Sequence, residues 1–161
     1  MPLSIVEFEV DWSDCDPAGI VFYPQFFRMM NTGTHKLFAN AGLPFHELTA
    51  KYGTAGTPLL DVQSTFRSPA RFGDHIRLES TVEEWRDKTF VVRHVMKAPN
   101  LDKGDGKGGD RVLFEAREIR AWVAADPSAP SGIKAQPIPT EIKALYPEAK
   151  LVSSAKSGKG S

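Results

Sequence analysis

Between Pro24 and Ala41 the chain carries its one long helical period, with Phe26, Phe27, Met30, Leu37, Phe38 and Ala41 recurring at three- to four-residue steps. Pro24 suits the first helical position, where no amide hydrogen is needed, and Gly42 suits the end. After Gly56 the period changes. Leu60, Val62 and Phe66 alternate with polar neighbours, as do Ile76, Leu78 and Val82, and then Phe90, Val92, His94 and Met96. Residues 5–13 alternate in the same way, Val6, Phe8, Val10 and Trp12 on one side. A chain with one long apolar helix and a series of consecutive strands has few ways to bury both. Strands joined by short turns pair antiparallel, and the helix is left to cover one face. The expected class is α+β, a curved antiparallel β-sheet wrapped around one long central helix.

Gly33 interrupts the helix near its middle and weakens it locally by about 1 kcal/mol relative to alanine. A short helical piece is expected from Pro44 to Lys51. The last strand run, 111–124, begins on Val112, Phe114 and Ala116 and then changes to Ile119, Ala121 and Val123, which predicts a bulge near Arg117. DKGDGKGGD, residues 102–110, reads as a hairpin loop: its oxygens are misplaced for calcium and no glutamate closes it. A Pro-rich stretch, 126–139, leads to a short helix near 140–146. At 161 residues the chain is expected to form a single domain, 1–150, with 151–161 a disordered tail.

Twenty basic residues balance twenty acidic ones, so no nucleic acid or anionic membrane surface is expected as a partner. No apolar run approaches the roughly 20 residues of a membrane span. MPLSIVEFEV lacks the charged start and apolar middle of a signal peptide, and one cysteine excludes an internal disulfide; a cytoplasmic location is expected. Cys15 reads as a small apolar residue. None of His35, His46, His75 and His94 shows metal spacing, and His94 reads as a hydrogen-bonded core histidine. No metal or redox cofactor is expected.

One stretch fits none of these structural roles easily. In WSDCDPAGIVFYP, residues 12–24, Asp14 and Asp16 flank Cys15 immediately before a block that the chain buries. A buried carboxylate is costly unless compensated, so the stretch is either a solvated turn or a chemical site. On the chemical reading, Tyr23 stands at the start of the long helix, where free amide hydrogens and about half a positive charge gather. Such donors stabilise an oxyanion formed at a carbonyl. A carboxylate opposite them attacks that carbonyl or activates water.

DCDPAGIVFYP followed by an apolar helix resembles the 4-hydroxybenzoyl-CoA thioesterase family of hotdog-fold enzymes. The resemblance continues through GTPLLDVQSTFRSPARFGD, EEWRDKTFVVRH, EAREIRAWV and PIPTEI, from residue 5 to 146. It implies the hotdog fold and hydrolysis of an acyl-CoA thioester, of an aromatic or medium-length acyl group. Asp16 falls on the catalytic aspartate and Tyr23 on the carbonyl-polarising backbone amide; Asp14 is implied to cap the turn or support its neighbour. A basic cluster after a tryptophan, here Arg86 and Lys88 with Asp87 between them, is implied to hold the CoA phosphates, with Arg71 a further candidate. Phe27, Met30 and Asn31 on the helix are implied to line the acyl pocket, with Asn31 where the 4-hydroxybenzoyl enzyme carries an acid. CoA belongs to the substrate, so no separate cofactor is implied. A homodimer or homotetramer is implied, with sites between subunits. Two alternatives stand beside this reading: a non-catalytic acyl-CoA binding protein, and a hotdog hydratase or dehydratase, which resembles a histidine–acid pair on the helix not found here.

Overall fold

The first strand, β1 (Ser4–Glu9), stops sooner than its alternation suggests. Asp11 instead caps a single 3-10 turn, Trp12–Asp14: its carboxylate accepts the Ser13 N–H at 3.0 Å, and Asp14 accepts the Asp11 N–H at 3.0 Å. This reciprocal cap satisfies amides that would otherwise be orphaned, and it corrects the expectation of a strand running to Ser13. The computed structural model describes residues 3–100 and 108–153. Most of the expected 102–110 loop and the tail from 154 lie outside the described residues.

The helix α1 (Pro24–Asn40) begins on the proline as expected, and α2 (Phe45–Tyr52) follows. Gly53 closes α2 at φ 66°, the left-handed backbone that glycine adopts without strain. Then come β2 (Thr54–Gly56), β3 (Leu59–Phe66), β4 (His75–Trp85), β5 (Thr89–Pro99) and β6 (Asp110–Ala121). The main sheet runs β1-β4-β5-β6-β3, each pair antiparallel, and α1 packs against β1, β4 and β5. This is the hotdog arrangement. A small second sheet joins β2 to β7 (Val123–Ala125) and β8 (Ile133–Ala135). The final helix, α3, spans only Thr140–Lys143, and β9 (Lys150–Leu151) pairs parallel with the end of β4, so the expected boundary at 150 falls inside a paired strand.

β6 corrects a second expectation. Phe114, Ala116, Glu118 and Arg120 all face inward without a change of phase, and the pairing of Arg117 with Arg93 and of Glu118 with Val92 is continuous. No bulge occurs at Arg117; the irregularities in this part of the sheet lie between Met96 and Lys97 and between Leu59 and Asp61. The inward positions 118 and 120 carry charge, which mimicked a shift of period.

Those two residues belong to a polar belt that divides the interior. On one side Phe26, Met29, Met30, Ile76, Leu78, Met96, Phe114 and Ala116 form an apolar cluster. On the other, Leu37, Phe38, Val82, Trp85, Phe90, Val92 and Trp122 form a second, extended by Ile138, Ile142 and Tyr146. Between them, in step along each element, stand Gly33 and Thr34 of α1, Ser80 of β4, His94 of β5 and Glu118 of β6. Gly33 has a reason to be there. A Cβ at this position would come within 2.6 Å of both Leu78 Cδ2 and Ser80 Oγ, so the helix approaches the sheet only because the side chain is missing. The Tyr146 hydroxyl donates to the Leu37 carbonyl at 2.6 Å and ties the C-terminal segment to α1; burial raises its pKa to about 12.

Candidate active site

The chain between the 3-10 turn and α1 folds back on itself. Cys15 bridges Val21, and the Asp16 N–H donates to the Ile20 carbonyl at 3.0 Å. Gly19, at φ 75°, makes this reversal possible and donates its N–H to the Asp16 carbonyl at 2.9 Å. The two acids of the stretch then differ sharply. Asp14 is buried and spent: one oxygen accepts from Arg28 Nη2 at 2.9 Å, the other from the Asp11 N–H at 3.0 Å. Asp16 is half-buried, with Oδ1 held by the Ala18 N–H at 2.9 Å; among the described residues Oδ2 has no partner. Asp14 is thus the cap that the resemblance implied, and Asp16 retains an oxygen for chemistry.

Tyr23 is the N-cap residue of α1. The Gln25 and Phe26 amides are taken by the Phe22 and Tyr23 carbonyls, whereas among the described residues the Tyr23 N–H donates to no acceptor. An aromatic cluster steadies this helix start: Phe26 stacks on Phe114 at 5.5 Å, and Phe66 of β3 meets Tyr23 edge-on at 6.4 Å. A free amide at the positive end of a 17-residue helix is a suitable donor to a developing oxyanion. Cys15 is a poor competitor as nucleophile. Loss of water around its thiol, reinforced by Asp14 and Asp16, raises its pKa, which disfavours the thiolate.

The expected pocket residues come together. Phe27, Met30 and Asn31 line a cavity of about 500 Å³ between α1 and the segment Thr54–Leu59. Phe38, Phe45 and His35 complete much of its wall, and Arg120 reaches it from β6. Loss of water, and secondarily the Arg120 cation, lowers the His35 pKa and favours its neutral form. Asp16 and Tyr23 are not among the cavity's lining residues.

Arg86 and Lys88 stand elsewhere, at the β4–β5 turn, on a shallow recess shared with Val152 and Ser153. Arg86 donates to Glu84 at 2.9 Å, while Lys88 is exposed and makes no ion pair among the described residues. Arg71 does not join them. It is exposed and pairs with Ile20, beside the Asp16 reversal. Within one protomer the expected site residues therefore occupy three places: the head of α1 with Arg71, the cavity, and the β4–β5 turn.

Reasoning from the sequence missed the residues behind the cavity. Glu118 and Arg120, two apart on β6, were visible as an acid–base pair at strand spacing, but they fell in the apparent phase change. Glu118 is fully buried. It accepts from Arg120 Nε at 2.8 Å, from His94 Nε2 at 3.1 Å and from the Thr34 hydroxyl. Since a carboxylate only accepts, Nε2 of His94 carries the hydrogen, and Ser80 Oγ lies 2.8 Å from Nδ1. Burial alone would raise the Glu118 pKa; the hydrogen bonds from His94 and Arg120 outweigh it and hold the value at about 2. Arg120 goes on to the Thr57 carbonyl at 2.9 Å and to Asn31 Oδ1 at 3.0 Å. His94 is a core histidine, as expected.

Among the described residues no three or more His, Cys, Asp or Glu gather as metal ligands, and no helix is long and apolar enough to cross a membrane. The family model of the thioesterase-like superfamily matches residues 10–145. A 4-hydroxybenzoyl-CoA thioesterase of Pseudomonas sp. (strain CBS-3) is 32% identical over 119 residues, 73% of this chain and 80% of that one. A solved structure of an aspartate-to-asparagine mutant of 4-hydroxybenzoyl-CoA thioesterase, complexed with 4-hydroxybenzoyl-CoA, aligns with a TM-score of 0.81 at 26% identity, covering 91% of this chain and 99% of that one. A gentisyl-coenzyme A thioesterase structure aligns with a TM-score of 0.70 at 28% identity, over 87% and 99% of the two chains.

Proposed function

This chain belongs to the thioesterase-like superfamily and hydrolyses acyl-CoA thioesters, and on that premise we propose that Asp16 and the Tyr23 amide carry the reaction. The observation behind this assignment is the contrast between the two acids. Asp14 has both oxygens engaged, whereas among the described residues Asp16 Oδ2 has no partner and, a short reversal away, neither does the Tyr23 amide at the helix start. Either the carboxylate draws a proton from the water that attacks the thioester carbon and passes it to the departing sulfur, or it attacks that carbon itself. In the second case water then hydrolyses the resulting acyl anhydride to the free acid, supplying the proton that the sulfur takes. The carbonyl oxygen gains charge and is stabilised by the Tyr23 N–H and the α1 dipole, and CoA leaves as the thiol. No further cofactor enters this scheme.

The acyl group is aromatic or of medium length and enters the cavity of Phe27, Met30 and Asn31, whose aromatic walls suit a flat ring. Arg86 and Lys88 meet the CoA phosphates. The working unit is a homodimer, or a pair of dimers, in the cytoplasm. A site assembled from two copies accommodates the separation of its residues into three places on one protomer. β3 supports the assembly: it is a sheet edge, with Leu59, Leu60 and Phe66 exposed, and soluble proteins seldom leave such an edge open.

Asp16→Asn keeps the Ala18 hydrogen bond and removes the charge. Single-turnover hydrolysis of a benzoyl-CoA thioester should slow by at least roughly a hundredfold, with substrate binding retained. Near-equal rates in two proteins of matching circular dichroism would remove Asp16 from the mechanism.

A further inference from the structure

We propose that the cavity selects acyl groups bearing a hydrogen-bond acceptor, and that Asn31, oriented by Arg120, is the residue that recognises it. The inference rests on the reading that this cavity holds the acyl part of the substrate. A guanidinium only donates hydrogen bonds. Nε and Nη2 of Arg120 donate to Glu118 at 2.8 and 3.1 Å, Nη1 to the Thr57 carbonyl at 2.9 Å, and Nη2 also to Asn31 Oδ1 at 3.0 Å. All three nitrogens are engaged and the residue is 4% exposed, so Arg120 has little to offer a ligand directly. Its influence passes through Asn31.

A carboxamide has an acceptor end and a donor end, and the neighbour decides which way it faces. Because Arg120 only donates, the Asn31 oxygen must face it and the NH2 must face away. That NH2 has no protein partner among the described residues, and Asn31 lines the cavity beside Phe27 and Met30. The orientation is well held. Turning the amide over would set NH2 against guanidinium, and Arg120 cannot yield because Glu118 grips it while His94 and Thr34 grip Glu118. The cavity wall therefore presents a fixed, unspent donor. A ligand whose ring or chain carries an ether, carbonyl or phenolate oxygen satisfies it; a plain hydrocarbon group displaces water from it and returns nothing. Arg120 is a positioning residue and Asn31 a specificity-determining one.

Non-hydrolysable CoA thioethers test this without requiring turnover. By calorimetry, 4-methoxybenzyl-CoA should bind the wild type about tenfold more tightly than benzyl-CoA, the effect of one added hydrogen bond. In Asn31→Leu the ratio should fall to about one. In Asn31→Asp, which can only accept, the 4-hydroxybenzyl thioether should bind better than the 4-methoxybenzyl. Arg120→Gln should lower the wild-type ratio by freeing the amide; if that variant does not fold, the Asn31 variants decide alone. Equal affinities in the wild type, or a ratio that survives Asn31→Leu, would overturn the inference. A protein that shows the expected ratio yet cleaves no acyl-CoA thioester would refute the hydrolase mechanism and leave the recognition intact.

Discussion

His94 Nε2 lies 3.1 Å from Oε1 of Glu118 on the neighbouring strand, and neither side chain has any exposed surface. With Arg120 as a third member this is a buried charged cluster, and its stability depends on acid. The Glu118 pKa falls from 4.5 to about 2 on folding. A carboxyl whose pKa is lowered in the folded state contributes its full stabilisation above the unfolded value and loses it as pH falls toward the folded one. Thermal melts of the wild type should therefore decline between about pH 4.5 and 2. Glu118→Gln leaves the Arg120 cation buried opposite an amide, at a cost of about 3–5 kcal/mol. Its melting temperature should start lower and vary less over the same pH interval. Parallel pH profiles would show that Glu118 is not the responsible group.

Gly33→Ala should destabilise the protein, although alanine is the better helix former by about 1 kcal/mol. The added Cβ meets Leu78 Cδ2 and Ser80 Oγ at 2.6 Å, and such overpacking costs on the order of 1–3 kcal/mol. Urea unfolding should give a lower midpoint; a raised one would mean that α1 can move off the sheet freely.

For CoA binding, Lys88→Ala should raise KM more than Arg86→Ala does, with kcat nearly unchanged in both. Arg86 must partly release Glu84 to meet a phosphate, whereas Lys88 holds no ion pair among the described residues. The double variant should lose about tenfold, as expected for two screened charge contacts. Steady-state kinetics on one acyl-CoA suffice, and an unchanged KM would move the phosphates toward Arg71.

Light scattering at micromolar concentration should report a dimer or tetramer for the wild type. Leu60 is 59% exposed on the edge strand β3, so Leu60→Lys should shift the equilibrium toward monomer while leaving the protomer folded. A wild-type monomer would remove the shared site along with the dimer.

The helix and the strand series were legible in the sequence because each rests on local pattern; Asp16 as the candidate catalytic acid came instead from the family resemblance of DCDPAGIVFYP. The polar belt was not legible. In β6 the inward face runs Phe114, Ala116, Glu118, Arg120, and a pattern reader takes a charge at an inward position as a sign that the strand has turned over. Only the partners reveal that it has not, and they lie 24 residues away at His94 and 84 away at Thr34. β3 misleads in the opposite sense. Leu60 and Phe66 have the right period for a core-facing strand, yet both are exposed in the protomer. The gathering of Phe27, Met30 and Asn31 was expected, whereas the role of Arg120 behind them required the fold.

The belt also bears on how the strands find their alignment. Sliding β5 along β4 by two residues keeps every side chain on its own face, so apolar packing alone would penalise the error only modestly. The pairing of Ser80 with His94 makes such a slip expensive. Displaced by two, the imidazole would stand opposite Leu78 or Val82 within one of the apolar halves, and Glu118 and Arg120 would keep their charges in the interior without it. The polar side chains crossing the core thus act as a notch that admits one alignment of the sheet, and the same notch sets where Arg120, and through it the Asn31 amide, comes to rest.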